Sequence, residues 1–96
     1  MAAYVVVDIQ VHDPKRYEDY KRQAASSVTA FGGRYLARGG ACRTLEGEWA
    51  PSRLVILEFP SVARASEWWH SELYAPIKAI RHATAASEMV LIEGAP

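Results

Sequence analysis

The sequence predicts an α+β fold of the ferredoxin-like βαββαβ type, in which one antiparallel sheet carries two helices on one face. Extended β-branched segments alternate with helical patterns in the order strand, helix, strand, strand, helix, strand. The 96 residues suit one small domain and are too few for two. Right-handed crossover connections then place both helices on the same side of the sheet.

The first strand and the first helix have the clearest patterns. The segment Ala3–Val11 is too continuously apolar for a strand exposed on one face and too short for a helix, which predicts a buried central strand. Asp13 and Pro14 then start a helix, as a capping acceptor and a first helical residue. Gly32-Gly33 ends the helix, which is predicted from about Pro14 to Phe31. Apolar residues recur along it at helical spacing: Tyr17, Tyr20, Ala24, Val28 and Phe31.

The middle of the chain contains two extended segments joined by a glycine-rich stretch. Arg34–Arg38 is predicted as a strand, and Gly39-Gly40 as a bend or bulge. The segment 41–46 either continues this strand or starts a ribbon. Arg53–Phe59 has the strongest strand pattern, with apolar residues on both faces.

The last part of the chain predicts a helix in two segments and a final strand. Ser61 caps the first segment, whose apolar residues keep helical spacing. The pattern breaks at His70-Ser71, and a second segment runs from Leu73 with Pro76 in its first turn. Glu88–Glu93 is predicted as the last strand.

Composition and charge exclude several classes of partner. Eleven basic residues balance eleven acidic ones, whereas a nucleic-acid partner favours a basic stripe. No block of like charge and no long apolar run suggests contact with a membrane. Cys42 is the only cysteine and is interpreted as a small apolar residue in a strand. It has no internal disulfide partner, so we expect a cytoplasmic location.

The predicted sheet leaves one apolar face uncovered. The first, third and last strands are apolar on both faces, and two helices cover only one of them. Soluble monomers rarely expose several hundred Å² of apolar surface, and a standard interface buries about 800 Å² per subunit. We therefore expect a homodimer in which two sheets face each other and close into a barrel with the helices outside.

Six motifs, taken together, carry a resemblance that extends over nearly the whole chain. They are D-P-x-x-Y-x-x-Y from Asp13, G-G-R-Y-L-x-R-G-G from Gly32, L-E-G-x-W from Leu45, R-L-V-I-L-E-F-P from Arg53, S-x-x-Y-x-P-I-K-x-x-R from Ser71, and V-L-I-E-G from Val90. These motifs resemble the domain of unknown function 1330 (DUF1330) family, within the dimeric α/β-barrel superfamily. The resemblance implies a single dimeric α/β-barrel domain over residues 1–96, and it does not establish an activity. Relatives in that superfamily include cofactor-independent monooxygenases and muconolactone isomerase-like enzymes, which use a pocket between sheet and helices.

Four charged residues on the predicted strands are candidates for a ligand-binding site. Arg38, Arg53 and Glu58 belong to the middle strands, and Asp8 lies on the first strand, which should neighbour that of Glu58. An arginine and a carboxylate in a sheet-lined cavity can orient an anionic or carbonyl compound. The alternative is a structural network of ion pairs at the dimer interface.

Two aromatic residues complete the list of candidates. Trp69 and Tyr74 flank the break between the two helical segments and could form a wall over a small apolar ligand. The alternative is ordinary core packing. The three histidines lack the spacing of metal ligands, and no phosphate-binding or dinucleotide motif occurs. We therefore expect no metal and no cofactor.

Two functions of different classes remain open. One is the binding of a small molecule without catalysis. The other is a cofactor-independent oxygenase or isomerase that acts on a small hydrophobic or aromatic carbonyl compound. The enzyme requires a cavity with a buried titratable group of shifted pKa beside an apolar wall. A filled space between helices and sheet would argue against it.

Overall fold

A four-stranded antiparallel sheet with three helices on one face forms the protein, in a computed structural model that describes all residues from 1 to 96. The strand order across the sheet is β2-β3-β1-β4. This confirms the predicted ferredoxin-like α+β fold, and the break predicted at His70-Ser71 separates two helices. The elements in chain order are β1 (Ala3–Val11), α1 (Pro14–Ala30), β2 (Arg34–Arg38), β3 (Leu54–Phe59), α2 (Val62–His70), α3 (Ala75–Thr84) and β4 (Ala85–Glu93).

The two faces of the sheet have different environments. Side chains alternate along a strand, so Val5, Val7 and Ile9 of β1 are buried beneath the helices. Tyr4 and Val6 point to the other face, which no element of the chain covers, and they are only partly buried. The apolar side chains on one face of β1 therefore pack in the core, and those on its other face form part of an apolar surface.

Trp68 lies at the centre of the core, between α1, α2 and the sheet. Its ring is 5.4 Å from that of Phe59 and 4.2 Å from that of Tyr74, between centroids. Its indole Nε1 donates a hydrogen bond to Ser27 Oγ of α1 at 3.0 Å. This bond satisfies a donor that would otherwise be buried without a partner.

Ser71 lies at the predicted break between the two helical segments. Its Oγ donates to the carbonyl of Trp68, the last turn of α2, at 2.8 Å, and accepts from the amide of Tyr74 at 3.0 Å. One hydroxyl thus closes α2 and fixes the turn that leads into α3. Pro76 follows near the start of α3, where its missing amide hydrogen costs little.

Three predictions about the connections were wrong. β4 begins at Ala85 rather than Glu88, because the nine residues of β1 pair with it along its whole length; this pairing overrides the weak strand preference of Ala85 and Ala86. The segment 41–46, which was predicted to continue β2 or to start a ribbon, forms no strand.

Gly39 adopts a positive φ of 72° and donates its amide to the carbonyl of Leu54, which turns the chain out of the sheet. Cys42 consequently lies in an exposed loop rather than in a strand.

None of the three helices combines the length and the apolar composition that a membrane crossing needs.

Replacing Ser27 by alanine should lower the free energy of unfolding by about 1–3 kcal/mol, because the buried Trp68 indole loses its acceptor. The neighbouring Ser26→Ala is the matched control; its side chain is exposed, and a change below about 0.5 kcal/mol is expected. Urea unfolding of both variants at one fixed protein concentration measures the difference. Equal effects of the two substitutions would show that the Trp68–Ser27 bond contributes nothing.

Candidate functional site

Tyrosine side chains line the space between α1, α3 and the sheet. Tyr17 and Tyr20 lie three residues apart on α1, which places both on its buried face. Their ring centroids are 5.3 Å apart. The hydroxyl of Tyr20 is 2.8 Å from that of Tyr74, which is fully buried just before α3. Tyr35 of β2 adds a half-buried phenol.

Three arginines lie against these phenols. The guanidinium carbon of Arg38 is 4.3 Å from the ring centroid of Tyr35. Those of Arg53 and Arg81 are each 5.9 Å from a tyrosine ring of α1. We refer to these seven residues as the arginine–tyrosine cluster: Tyr17, Tyr20, Tyr35, Tyr74, Arg38, Arg53 and Arg81.

No carboxylate neutralises the arginines of the cluster. The ion pairs of the chain involve other cations: Lys21–Glu18, Arg22–Asp19, Arg34–Glu58 and Arg64–Glu67. Arg38 instead donates to the main-chain carbonyl of Lys21 at 2.9 Å. A guanidinium stays protonated in proteins, so the cluster carries a positive charge without a counter-ion.

Arg81 is the most unusual member of the cluster. Only 2% of it is exposed. Its Nη1 donates to Ser87 Oγ of β4, whereas Nε and Nη2 have no hydrogen-bond partner. The Nε of Arg53 is likewise buried and unpartnered. Buried donors without acceptors are costly, and a charged one more so. The cluster thus contains strong donors that the protein itself does not satisfy.

The phenols of Tyr17, Tyr20 and Tyr35 remain protonated at neutral pH, because the pKa of each is raised. Burial raises the pKa of Tyr17, and the nearby charges of Arg53, Arg81 and Arg38 oppose this rise only in part. Burial also raises the pKa of Tyr20 and that of Tyr35. Protonated phenols can donate hydrogen bonds and do not act as bases.

Two spaces that share lining residues adjoin the part of the cluster that contains Arg38 and Arg53. An inner cavity of about 20 Å³, counted as space for the centre of a water molecule, lies between sheet and helices and has room for roughly one water. An outer groove of about 460 Å³ lies at the surface between α1 and the ends of β2 and β3. Lys21, Arg38 and Arg53 line both spaces, so these cations stand at the entrance from the groove to the cavity.

A separate groove of about 170 Å³ runs between α2 and the edge strand β4. It lacks titratable groups, so it offers no acid–base chemistry. The residues that line it are Val5, Ala65, Ser66, Trp68, Trp69, Met89, Val90 and Leu91.

The structure brings together four of the six residues predicted for the site. Arg38, Arg53 and Tyr74 belong to the arginine–tyrosine cluster. The ring of Trp69 lies 6.1 Å from that of Tyr74 and 6.0 Å from the guanidinium of Arg81. Trp69 also contacts Lys78, whose Nζ is 3.7 Å from the indole ring.

The two predicted carboxylates lie on the uncovered face of the sheet, away from the cluster. Glu58 accepts from Arg34 Nε at 2.7 Å. Asp8 accepts from Trp49 Nε1 at 3.1 Å and from the amide of Ser52 at 3.0 Å. Asp8 thereby holds the loop between β2 and β3 against the sheet.

Sequence reasoning missed Tyr17, Tyr20, Tyr35 and Arg81 as site residues. Tyr17 and Tyr20 were predicted to belong to the apolar stripe of α1. That prediction accounts for the burial of their rings and not for the hydrogen bonds that their hydroxyl groups can form. Arg81 carried a readable signal, because it follows Ile77 by four residues and therefore shares its buried helix face. An arginine at a core-facing position is rare unless it has a partner.

Comparisons with known proteins identify the fold and a family. A family model described as "Domain of unknown function (DUF1330)" matches residues 2–95. A comparison with curated proteins gave no match.

Solved structures with the same fold are distant in sequence. The RPA0582 protein of unknown function from Rhodopseudomonas palustris has a TM-score of 0.80 at 18% identity, over 99% of this chain and 83% of that one. A dimeric ferredoxin-like protein of unknown function from Jannaschia sp. CCS1 has a TM-score of 0.72 at 13% identity, over 98% and 100%. SnoaB, a cofactor-independent oxygenase from Streptomyces nogalater, has a TM-score of 0.68 at 15% identity, over 99% and 94%. These similarities show a shared fold.

Tyr17, Tyr20 and Tyr35 should resist ionisation until the protein unfolds. Because the pKa values of Tyr17, Tyr20 and Tyr35 are raised, the unfolded state binds fewer protons than the folded state above about pH 10. Stability should therefore be unaffected by these groups below pH 10 and fall as the pH rises above it. Phenolate absorbance should show three more ionised tyrosines in urea-unfolded than in folded protein near the onset of alkaline unfolding.

Tyr20→Phe is the control for this titration and should reduce the difference by one phenolate. Identical titration curves for folded and unfolded protein would contradict the burial of these phenols.

Proposed function

We propose that this chain, which belongs to the DUF1330 family of domains of unknown function, forms a homodimer and binds a small molecule between its sheet and its helices. The observation that carries the binding proposal is the arginine–tyrosine cluster. It concentrates guanidinium and phenol donors in a space where no carboxylate accepts from them. A bound molecule with acceptor oxygens would satisfy these donors.

A purely structural network would look different. Buried polar groups in proteins almost always find partners, and a buried charge is normally paired. The pair Arg34–Glu58, at 2.7 Å, shows that this chain pairs an arginine with a carboxylate at the surface, where Arg34 is 70% exposed. Arg81 and Arg53 keep unpartnered nitrogens instead, which supports a role in binding.

The dimensions of the two spaces indicate how a ligand is held. The inner cavity of about 20 Å³ accepts one small polar group in place of a water. A ligand of more than a few atoms therefore has its body in the outer groove, where Arg38 and Arg53 stand at the entrance. The cluster would fix the polar end, and the groove would select the shape of the remainder.

Binding without turnover has more support than a cofactor-independent oxygenase or isomerase. Such enzymes need a group that removes a proton at neutral pH. The raised pKa values of Tyr17, Tyr20 and Tyr35 keep these phenols in the donor form. The neighbouring His82 on α3 is exposed. The nearly filled inner space also leaves little room for a reacting substrate.

The uncovered face of the sheet supports the homodimer. Val90 and Ile92 of β4 are 62% and 58% exposed on this face, beside the partly buried Tyr4, Val6 and Ile56. Burying them against a second copy removes an apolar patch that a soluble monomer rarely exposes. We propose that two such sheets close into one α/β barrel, with one domain per chain over residues 1–96. The dimeric state of the Jannaschia protein fits this assembly.

A cytoplasmic location is also part of the proposal. Its support is the single free cysteine, Cys42, which is exposed and forms no internal disulfide.

The double substitution Val90→Glu and Ile92→Glu should convert the dimer into a folded monomer. Both side chains are exposed in the isolated chain, so the charges harm only a sheet-to-sheet interface. Leu73→Glu is the matched control, at a residue that is 51% exposed on the helical side. Sedimentation equilibrium at micromolar concentration distinguishes the two states. A wild-type protein that is monomeric there would refute the assembly.

A thermal-shift screen with small aromatic acids, amides and ketones should identify at least one stabilising compound. Ligand at 100 times its Kd adds about 2.7 kcal/mol to the free energy of unfolding. The shift should persist in Arg64→Gln, whose guanidinium pairs with Glu67 at the surface, and should weaken in Arg53→Gln. Product analysis of each stabilising compound then tests for turnover. A screen without any stabilising compound would count against binding in this space.

A further inference from the structure

The charges around the cluster restrict the class of ligand. Besides its three arginines, Lys78 lies close by: burial and the charge of Arg81 lower its pKa, and its Nζ donates to the carbonyl of Trp69 at 2.9 Å. The one carboxylate at the outer groove, Glu18, is paired with Lys21 at 2.9 Å. The charged groups that act on the cluster phenols are arginines alone.

The free edge of Arg81 has the geometry of a carboxylate receptor. Its Nη1 is occupied by Ser87 Oγ. The unpartnered Nε and Nη2 lie on the same edge of the planar guanidinium and present two parallel N–H groups. Two parallel donors of this kind bind the two oxygens of a carboxylate. Neutral acceptors such as an amide or a ketone offer only one oxygen to this edge.

We infer that the ligand is a small organic anion whose carboxylate, or a similar pair of negatively charged oxygens, is bound by Arg81 and Arg53. This inference rests on the proposed binding function and specifies its ligand class. Arg53 contributes a second unpartnered Nε and stands between the outer groove and the inner cavity. The phenol of Tyr17 lies against Arg53 and within the field of Arg81, where it can donate to the same anion.

The retention of Arg81 also has a cost for stability. A buried charge without a counter-ion destabilises the folded state, and apolar replacements of buried charged groups are often neutral or stabilising. An arginine kept for the fold should be needed for stability. An arginine kept for a ligand should be dispensable for folding and necessary for binding.

The test uses acetate and benzoate as probes, with acetamide and benzamide as neutral controls of the same shape. Binding to the full chain is measured by thermal shift and by calorimetry at constant ionic strength. Each carboxylate should bind at least about tenfold more tightly than its amide, because hydrogen bonds to charged groups contribute more than neutral ones.

The possible outcomes separate this inference from the proposed function. Equal binding of carboxylates and amides would overturn the anionic class and leave binding in this space intact. The same holds if only ketones of the wider screen stabilise the protein. If no compound binds, both the inference and the proposed function fail.

Arg81→Met provides the second test. It should leave the Tm unchanged or raise it by about 4–8 °C, and it should abolish the response to benzoate. Arg64→Met is the matched control and should keep that response, because Arg64 is a surface residue paired with Glu67. A Tm of Arg81→Met that falls by more than about 4 °C would show that Arg81 supports the fold instead. Arg53→Met, at a half-buried position, should also weaken benzoate binding, and an unchanged response would contradict the shared anion site.

Discussion

The central strand β1 is the constraint on which the structure depends. It is paired on both edges, with β3 and β4, along most of its nine residues. Because its side chains alternate, Val5, Val7 and Ile9 form the floor of the space under the helices, whereas Tyr4 and Val6 face outward. The two faces of β1 therefore belong to two different surfaces of the protein. The helix side holds the candidate ligand site, and the uncovered side is suited to a second copy.

The helix side combines a well-packed part with an unsatisfied part. At Trp68 the buried indole donor is paired with Ser27 Oγ. Around Arg81 the same interior contains guanidinium nitrogens without acceptors. The arginines that pair with carboxylates, as in Arg34–Glu58, lie at the surface, whereas a buried guanidinium without an acceptor is costly to the fold. A ligand that supplies the missing negative charge accounts for it.

Local patterns were sufficient to predict most of the fold. The apolar run predicts β1, the cap at Asp13 predicts the start of α1, and the alternation of apolar residues predicts β3. With right-handed connections, the order of the elements is then compatible with the ferredoxin-like topology. β4 was predicted three residues too short, because its first residues become a strand only by pairing with β1. The charged residues predicted for the site show how far the sequence alone can predict it. Arg53 directly precedes β3 and Glu58 lies on it, and the alternation of side chains along the chain places the two on opposite faces of the sheet. The partners they meet, Arg34 for Glu58 and Tyr17 of α1 for Arg53, depend on contacts between elements that are distant in the chain, and local spacing does not predict them.

The central claim is that Arg81 is buried to receive an anion. Its most direct test is the Nε–Hε signal of each arginine in ¹⁵N-labelled protein during a titration with benzoate. We expect the signals of Arg81 and Arg53 to shift together to saturation, since both nitrogens acquire an acceptor, while that of Arg64, already paired with Glu67, stays in place. Unchanged signals of Arg81 and Arg53 at saturating benzoate, or shifts confined to surface arginines, would contradict it.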